Sequence, residues 1–474
     1  MSEEAGPRRY DAVVVGGGVA GLTAACFLAR AGRRVALVEA DAEVGGLCRT
    51  VHAGGLAWDL SLYSLRGCGP GGPFTALLEE LGVARHLPMR HADTSYLVRL
   101  GAEEFPFTTA RDEMLEAADR LEPAGADRLG RFLERIHAFN PVRDYGALGR
   151  LTFAEAAASS GIGERLLAAL AAPLMISLGL PPQRVSAYFS FLKYRLILGE
   201  GGWYPEGGAE SLVRALEELF VSSGGSLYPG VRVDAVALDP DGAKRVVAAQ
   251  RTFIADQLVL AIDATTALEW LAPALPERFR SKPGLLTPAL SAELLFCKAP
   301  GTTLNLAGLG RAPQVIVVRE PDLAAVYRSL REGKADTADG IVGLTSPAAW
   351  HHPVPTDELQ PLSAFFLAPS RRADGDPGAA ALLKRLRRTV PGLPVSVTAC
   401  ASWGPRELAA RTGNRGGSFC GWEMGPERYG PGRIPAKIPL PGVYLAGHWT
   451  DPGPSLLNAA LSGRTAALKI LGRD

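Results

Sequence analysis

The sequence predicts an α/β fold in which one domain is assembled from separated segments of the chain. Three observations support this prediction. The chain begins with a βαβ pattern: an apolar strand at Tyr10–Val15, a helix at Val19–Ala31 and a second strand at Arg34–Glu39. A second β-rich stretch follows Gly202. A last apolar strand at Val443–Ala446 precedes a final helical pattern.

Motifs that are typical of nucleotide binding occur near residues 16, 230 and 447, so these regions are expected to form one domain. With 474 residues, the chain is also too long for a single compact core. We therefore predict a Rossmann-like cofactor domain made of residues 8–70, 203–265 and 400–474. Residues 71–202 and 266–399 are expected to form an α+β substrate-binding domain with a helical part.

The composition is that of a globular protein with no electrostatic preference for polyanions. Fifty basic and 49 acidic residues leave a formal charge of +1, which gives no reason to expect a nucleic-acid partner. The six cysteines are scattered without a C-x-x-C pair. We therefore expect neither a disulfide framework nor a metal site, and a reducing, cytoplasmic environment. The sequence leaves the oligomeric state open.

The longest apolar stretch, residues 166–180, contains Pro173 and is too short to span a bilayer. The first residues of the chain also lack the apolar core of a signal peptide. We expect a buried helix at residues 166–180. A helix that touches a membrane surface or lines a lipid site is the alternative, so peripheral membrane contact stays open.

A glycine triplet marks the first predicted binding site. It has the form G-x-G-x-x-G and lies between the first predicted strand and helix, where glycine permits a tight turn and lets the backbone approach a pyrophosphate. The helix N-terminus attracts the phosphates, and an acid at the end of the second strand can bind a ribose hydroxyl. This pattern suits NAD and FAD equally. The predicted dinucleotide-binding residues are Gly16, Gly18, Val19, Ala20, Gly21, Glu39 and Ala40.

A second glycine pair follows the βαβ unit and lets the chain pass the pyrophosphate again. The segment around it, residues 43–50, resembles the second cofactor motif of flavin amine oxidases, protoporphyrinogen oxidases and phytoene desaturase-like enzymes. The resemblance implies FAD as the cofactor, with Gly45 and Gly46 beside its pyrophosphate and Arg49 as a charged donor to a phosphate. Leu47 stands where the family usually has a basic residue. A solvated loop arginine is the alternative for Arg49.

The C-terminal part of the chain carries a second predicted binding site. An apolar strand leads into a turn at residues 447–453 and then into a helix whose first N–H groups lack helical partners. Such a helix N-terminus would stabilise negative charge on a reduced flavin ring. Together with residues 58–59, 67–74, 202–208 and 417–423, this block resembles phytoene desaturase-related proteins, which include carotenoid desaturases, carotenoid isomerases and retinol saturases.

That resemblance implies a Rossmann-like fold of the GR2 or amine-oxidase type, in which both ends of the chain meet around one FAD. It also implies that Val233, in a V-x-V strand, contacts the adenine, although a plain sheet strand is the alternative. His448 stands where amine oxidases commonly carry an acid. The residues expected near the flavin end of the cofactor are Gly447, His448, Asp451, Leu457 and Asn458.

Because a flavin carries out hydride chemistry itself, the protein needs to supply only position, dryness and local charge. The resemblance implies that Trp203 and Tyr204 approach the flavin ring, where they could stack on flavin or substrate; core packing is the alternative. Lys193 and Arg195 could donate a proton or contact an anion, and a solvated helix face is the alternative for them. These four residues are the catalytic candidates.

The expected function is FAD-dependent desaturation, saturation or double-bond isomerisation of an apolar, polyene- or isoprenoid-like small molecule. Residues 166–180 and the aromatic run at 188–191 suggest an apolar tunnel near the cofactor. The runner-up is an amine or protoporphyrinogen oxidase that uses oxygen, although the lysine that amine oxidases place near residue 293 is missing. A degenerate flavin fold that serves as a scaffold is a third alternative, which the intact glycine triplet opposes.

Overall fold

The computed structural model describes residues 8–61, 63–249, 251–333, 338–351, 353–370, 375–429 and 432–473. In this part of the chain the strands are β1 (Arg8–Val15), β2 (Val35–Val38), β3 (Thr50–Ala53), β4 (Leu56–Asp59), β5 (Met89–Ala92), β6 (Thr94–Leu100), β7 (Glu103–Thr108), β8 (Gly202–Pro205), β9 (Ser226–Tyr228), β10 (Val233–Leu238), β11 (Lys244–Ala248), β12 (Arg251–Leu260), β13 (Ser291–Pro300), β14 (Gln314–Val318), β15 (Ile341–Thr345), β16 (Leu359–Ala368), β17 (Thr398–Trp403) and β18 (Val443–Leu445). The α-helices are α1 (Val19–Arg30), α2 (Pro73–Leu81), α3 (Arg111–Leu121), α4 (Gly125–Ala138), α5 (Tyr145–Leu148), α6 (Phe153–Ala158), α7 (Glu164–Leu178), α8 (Ala187–Glu200), α9 (Gly208–Ser222), α10 (Ala264–Leu271), α11 (Glu277–Arg280), α12 (Gly301–Leu306), α13 (Leu323–Arg331), α14 (Ala379–Thr389), α15 (Pro405–Thr412) and α16 (Leu456–Leu471).

The first sheet has a parallel centre of five strands in the order β18-β12-β1-β2-β9. In its register, Val14 of β1 lies opposite Val259 of β12 on one side and Leu37 of β2 on the other. The antiparallel pair β10 and β11 extends the sheet beside the first half of β12. A parallel sheet is covered on both faces, and Val13 and Val14 are accordingly fully buried.

The first and last helices pack against each other on one face of this sheet. A Cβ added to Gly463 of α16 would overlap the carbonyl oxygen of Ala20 in α1, so the two helices approach each other at backbone distance. The C-terminal strand β18 pairs with β12, which in turn pairs with β1. Both ends of the chain therefore belong to one layer of the molecule.

The second sheet is mixed, with the order β17-β13-β16-β15-β14-β6-β7, and its pairs are antiparallel except that of β14 with β6. The domain limit predicted at residue 400 falls inside β17, which pairs with β13 of this sheet. The limit predicted at residue 265 falls inside α10, whose Leu268 and Leu271 pack into the core of the first sheet. The division into two domains and its limits stay a prediction.

Helices α3 to α8 form the helical part, and α7 runs through the apolar stretch noted in the sequence. Leu170, Leu174 and Met175 of α7 are buried in the core that these helices share with the second sheet. This burial explains the apolar sequence and agrees with the expected buried helix. Within the described residues, every helix falls short of the length and apolar character that a bilayer-spanning segment requires.

Candidate active site

A cavity of about 820 Å³ runs from the carboxyl end of β1 to helices α7 and α8. Ligands of open α/β sheets bind at this edge, where the parallel strands end. Both ends of the chain and its middle contribute to the lining, so a crevice joins the glycine turn to the C-terminal helix. The predicted site residues in the lining are Gly16, Gly18, Val19, Ala20, Glu39, Ala40, Gly45, Gly46, Lys193, Arg195, Val233, Gly447, His448, Leu457 and Asn458.

The glycine turn after β1 depends on backbone contacts that a side chain would prevent. Gly16 has a φ of +100°, and a Cβ there would lie 2.5 Å from the carbonyl oxygen of Ala261. A Cβ at Gly21 would overlap the carbonyl oxygen of Gly16. Gly21 lies outside the cavity lining, so its role is the close packing of α1 against the turn.

The second glycine pair lies directly beside the first. Gly18 and Gly45 form a parallel β-bridge, and the amide of Gly45 donates to the carbonyl of Gly17 at 2.8 Å. A Cβ at Gly46 would lie 3.2 Å from the Cα of Gly18. Two stretches of side-chain-free backbone therefore line one part of the cavity, which is the surface that a pyrophosphate needs.

Glu39 is buried at the end of β2 and closes this part of the cavity. Its carboxylate accepts hydrogen bonds from the amides of Gly17 (2.5 Å) and Asp41 (2.8 Å). The amide of Val231 donates to the Glu39 carbonyl, which brings residues 231–233 against the same region. The predicted ribose-binding acid and the predicted adenine-binding strand thus lie together in the lining.

Arg49 lies outside the lining, and this position differs from the expected phosphate contact. Its Nη1 pairs with the Asp41 carboxylate at 3.0 Å, and its Nε donates to the Gly46 carbonyl at 2.7 Å. Burial raises the pKa of Asp41, but the charge of Arg49 and its hydrogen bond lower the pKa below its ordinary value. Arg49 therefore ties the second glycine pair to the loop after β2, and a phosphate contact stays a prediction.

The N-terminus of α16 forms the opposite end of the cofactor region. Ser455 precedes the helix with a φ of +135°, which is unusual for a residue with a side chain, and its hydroxyl accepts from the amide of Asn458 at 3.1 Å. The amide of Gly447 donates to the Ser462 hydroxyl at 2.8 Å, which fixes the turn after β18 to this helix. Leu456 and Leu457 carry first-turn N–H groups, which have no acceptor within the helix.

His448 faces the cavity and carries an imidazole nitrogen that needs a partner. Its Nε2 is buried without a hydrogen-bond partner among the described residues. Burial, and secondarily the charge of Arg433, lowers the pKa of His448 to about 3. The imidazole is therefore neutral at physiological pH. Its Nε2 can then donate or accept one hydrogen bond, depending on the tautomer.

Asp451 lies outside the lining, unlike the other residues predicted at the flavin end. Its amide donates to the carbonyl of Ile434 at 2.9 Å. Its carboxylate acts on Arg433, raising a guanidinium pKa that burial has lowered. Asp451 therefore supports Arg433 beside the turn after β18, and the direct cofactor contact expected from the sequence stays a prediction.

Trp203 and Tyr204 also lie outside the lining, and their stacking on a flavin ring stays a prediction. Side chains alternate along β8, so the two residues point to opposite sides of the strand. The Trp203 ring lies 4.5 Å from that of His91. The Tyr204 ring stacks on Trp350 at 5.2 Å, and its hydroxyl donates to the buried carboxylate of Asp59. Core packing, the alternative noted for this pair, accounts for both contacts.

Lys193 and Arg195, two positions apart on α8, both line the cavity. The Lys193 ammonium donates to the Ser177 hydroxyl and to the Pro173 carbonyl of α7, the latter at 3.4 Å. Arg195 is exposed and donates to the Phe139 carbonyl at 3.0 Å. Sequence reasoning missed several residues that share this end of the cavity, because they come from strands and loops distant along the chain: Tyr63, Arg66, Tyr96, Gln314, Phe365 and Phe419.

These features fit FAD. Glycine backbone and Glu39 suit the adenylate half, while His448 Nε2 and the first turn of α16 offer polar groups at the other end. Within the described residues no group of three or more His, Cys, Asp or Glu side chains is placed to hold a metal ion. The fold and the site define a flavin-dependent oxidoreductase built on a Rossmann-like domain.

Comparison with known families agrees with this class. The model of the flavin-containing amine oxidoreductase family matches residues 19–360, and the chain belongs to that family. FAD is its cofactor.

Two curated relatives confirm the resemblance to phytoene desaturase-related proteins. The chain is 26% identical over 508 aligned positions to phytoene dehydrogenase from Streptomyces griseus, covering 97% of this chain and 95% of that protein. It is 25% identical over 265 residues to all-trans-retinol 13,14-reductase from Rattus norvegicus. That second match covers 50% of this chain and spans 44% of the reductase.

Solved structures confirm the predicted fold class. An oxidoreductase from Methanosarcina mazei superimposes with a TM-score of 0.69 at 16% identity, covering 96% of this chain and 99% of that one. Cyclohexylamine oxidase from Brevibacterium oxydans IH-35A gives a TM-score of 0.62 at 17% identity, covering 98% and 99% of the two chains.

Proposed function

We propose that this oxidoreductase desaturates, saturates or isomerises carbon–carbon double bonds in an apolar, polyene- or isoprenoid-like small molecule. The observation that carries the proposal is the wall of the cavity beyond the cofactor region. Its side chains are mainly aliphatic and aromatic, among them Ile176, Leu178, Phe189, Leu192, Phe365 and Phe419. A chamber of this kind favours a long apolar substrate.

The two curated relatives support the same substrate class. Phytoene and all-trans-retinol, which appear in their names, are both conjugated polyenes. The shared chemistry is transfer of two hydrogens to or from a carbon–carbon bond, and this chain carries the same kind of cofactor. The direction of the net reaction stays open between desaturation, saturation and isomerisation.

When bound, FAD supplies hydride transfer to and from carbon. The residues of this chain supply position and environment. The backbone at Gly18 and Gly46 and the carboxylate of Glu39 hold the adenylate half. The first turn of α16 favours negative charge at the flavin end, and the apolar wall keeps water from the reacting carbons. His448, neutral at physiological pH, offers a hydrogen bond and no charge.

The decisive experiment is anaerobic incubation of the FAD-loaded protein with all-trans polyenes, with the flavin absorbance recorded and the product identified by mass. Bleaching with loss of two hydrogens indicates desaturation. Reoxidation of pre-reduced protein with gain of two hydrogens indicates saturation, and an unchanged mass with a shifted double bond indicates isomerisation. Polyenes that leave both the flavin and their own mass and geometry unchanged would contradict the proposal.

The second candidate is an amine oxidase, which the family name and the cyclohexylamine oxidase fold favour. The charges of the cavity argue against it. Arg66 and Lys193 line the chamber, and a protonated amine would meet two positive charges there. Flavin bleaching by putrescine or cyclohexylamine, without bleaching by polyenes, would reverse this preference.

A further inference from the structure

Arg66 presents an unusual side chain to the apolar chamber. Its Nη1 donates to the Ser64 hydroxyl and, at 2.7 Å, to the Leu65 carbonyl. Its Nε and Nη2 are buried without a hydrogen-bond partner among the described residues. Leaving two donors of a charged group unsatisfied in a buried place is costly, so the arrangement indicates a bound partner.

The two unsatisfied nitrogens form one edge of the planar guanidinium. An arginine uses the Nε and Nη2 edge to bind the two oxygens of a carboxylate side by side. Contacts on the opposite edge hold Arg66 in place, and its guanidinium lies over the Tyr96 ring, 5.2 Å from the centroid. The free edge is therefore pre-positioned, which lowers the entropic cost of binding.

Lys193 adds a second cationic side chain to the same end of the cavity, and burial, with the charge of Arg66, lowers its pKa below the ordinary value. Its ammonium has two oxygen partners on α7, Ser177 and Pro173, and an ammonium has three donors. Burial raises the pKa of Tyr96, but the charges of Arg66 and Lys193 and a hydrogen bond from Arg66 outweigh this and lower the pKa below its ordinary value. All three groups thus share one electrostatic environment.

No described carboxylate in the cavity lining neutralises these two cations. The two acids in the lining, Glu39 and Asp263, both accept backbone amides near the glycine turn: Glu39 from Gly17 and Asp263 from Thr265. The acid on the same helix as Lys193, Glu200, lies outside the lining and accepts the amides of Gly67 and Gly69. Two cationic side chains thus line the chamber, and the described acids of the lining are engaged elsewhere.

We propose that Arg66 and Lys193 bind a carboxylate-class anionic end group of an otherwise apolar substrate. This inference rests on the proposed function and narrows its substrate class. The bidentate edge of Arg66 holds the two oxygens, and Lys193 contributes charge and one hydrogen bond. The apolar chain then extends along the aliphatic and aromatic wall, with its unsaturated carbons toward the flavin end.

The test compares two probes of equal shape, all-trans-retinoic acid and its methyl ester, by quenching of tryptophan fluorescence in the FAD-loaded protein. Wild type is expected to bind the acid about tenfold or more tightly than the ester, since hydrogen bonds to charged groups are worth that much. Arg66→Gln should reduce the affinity for the acid to that for the ester and leave the affinity for the ester unchanged. Arg66→Lys should show a smaller preference for the acid over the ester, because lysine keeps the positive charge but lacks the paired N–H donors of a guanidinium.

Arg90→Gln is the matched control, because Arg90 is a partly exposed arginine outside the cavity that pairs with Glu206. It should leave both affinities unchanged. Equal binding of acid and ester by wild type would overturn the proposal. So would loss of bound flavin in well-folded Arg66→Gln and Lys193→Gln, which would assign the two cations to the cofactor.

Wild type provides a second readout that needs no substitution. Added potassium chloride should weaken binding of the acid and leave binding of the ester unchanged, because only the acid depends on charge attraction. A salt-insensitive preference for the acid would contradict the ionic contact. The binding measurement is also separable from the proposed function: the acid preference can hold when no polyene turns over, and turnover can occur without it.

Discussion

Gly463 in the last helix lies against the backbone of Ala20 in the first, so closely that the smallest side chain at Gly463 would overlap the Ala20 carbonyl oxygen. This contact joins two residues from opposite ends of the chain. It holds the N-terminus of α16 beside the glycine turn, and the cavity is lined by both. The cofactor site therefore exists only in the folded chain.

Gly463→Ala should destabilise the protein by about 1–3 kcal/mol, because its methyl group has to push apart two helices that meet at the backbone. Flavin content should fall with it, since the two halves of the site move relative to each other. Thermal unfolding and the flavin-to-protein absorbance ratio measure both effects. Gly199→Ala is the control, because no atom lies within 4 Å of a Cβ at that helical glycine. A stable, fully yellow Gly463→Ala protein would contradict the argument.

Glu39→Ala should weaken FAD binding by about tenfold to a hundredfold, through the loss of charged hydrogen bonds of about 1.5–3 kcal/mol. Both carboxylate oxygens accept backbone amides, so the side chain also supports the turn. The FAD affinity of Glu39→Gln should lie between those of wild type and Glu39→Ala. The glutamine oxygen can still accept one backbone amide, but its NH2 group faces the other amide, which is also a donor. Fluorescence quenching on adding FAD to apoprotein gives the affinities. Glu43→Gln, an exposed acid nearby, should bind like wild type; equal losses at both positions would refute a specific role.

Removing Asp41 from its pair with Arg49 should cost about 3–5 kcal/mol, because Arg49 is left behind as a buried charge, whereas Asp41 without Arg49 still has Arg411 at 3.8 Å. The side chains of Arg49 and Asp41 are 6% and 10% exposed. Arg49→Met with Asp41→Asn should be less destabilising than the sum of the two single changes. Urea unfolding of the four proteins of this cycle measures the coupling. The pair of Arg9 and Asp256, 59% and 55% exposed, should show a coupling of only about 0–1 kcal/mol. Similar couplings in the two cycles would show that burial is not the cause.

His448 should make the folded protein less stable as the medium becomes acidic. Its folded pKa of about 3 lies below the ordinary 6.5, so the unfolded chain takes up a proton that the folded chain refuses. The contribution is fully present above about pH 6.5 and is lost progressively as the pH falls toward about 3. His448→Gln should reduce the slope of the free energy of unfolding against pH between about pH 6.5 and about pH 4.5. Urea unfolding at a constant FAD concentration measures this slope. A His448→Gln slope equal to wild type would rule out this source.

Tyr204→Phe should lower stability and leave the flavin spectrum and turnover number unchanged, because the Tyr204 hydroxyl serves Asp59 and not the cavity. The expected loss is about 1–3 kcal/mol, the cost of an unsatisfied buried acceptor. Urea unfolding and the visible spectrum separate the two effects. A changed flavin spectrum with unchanged stability would indicate that Tyr204 acts in the active site. Tyr145→Phe provides the surface comparison, because the partly exposed hydroxyl of Tyr145 donates to the Tyr429 carbonyl.

Local patterns determined the cofactor half of this protein. A tight turn, a helix start and a strand-end acid depend on neighbours within a few tens of residues, so the glycine triplet and Glu39 could be recognised from spacing alone. The second glycine pair added the choice of FAD through family resemblance. The resemblance and the fold class were confirmed by the comparisons.

Only the tertiary structure decided the partners of side chains that lie between those motifs. Arg49 meets Asp41, Tyr204 meets Asp59 across 145 positions, and Arg66 and Lys193 line the same chamber. The alternation of side chains along β8 sets the orientation of Tyr204, and the packing of α7 against α8 sets that of Lys193. Neither orientation can be predicted from sequence spacing. The sequence by itself, through motif spacing and family resemblance, predicted that a flavin is bound and which glycine backbone lies beside it. The packing of distant segments decided which charges and apolar walls its substrate meets, because those surfaces form only when the second sheet and its helices close over the cofactor domain.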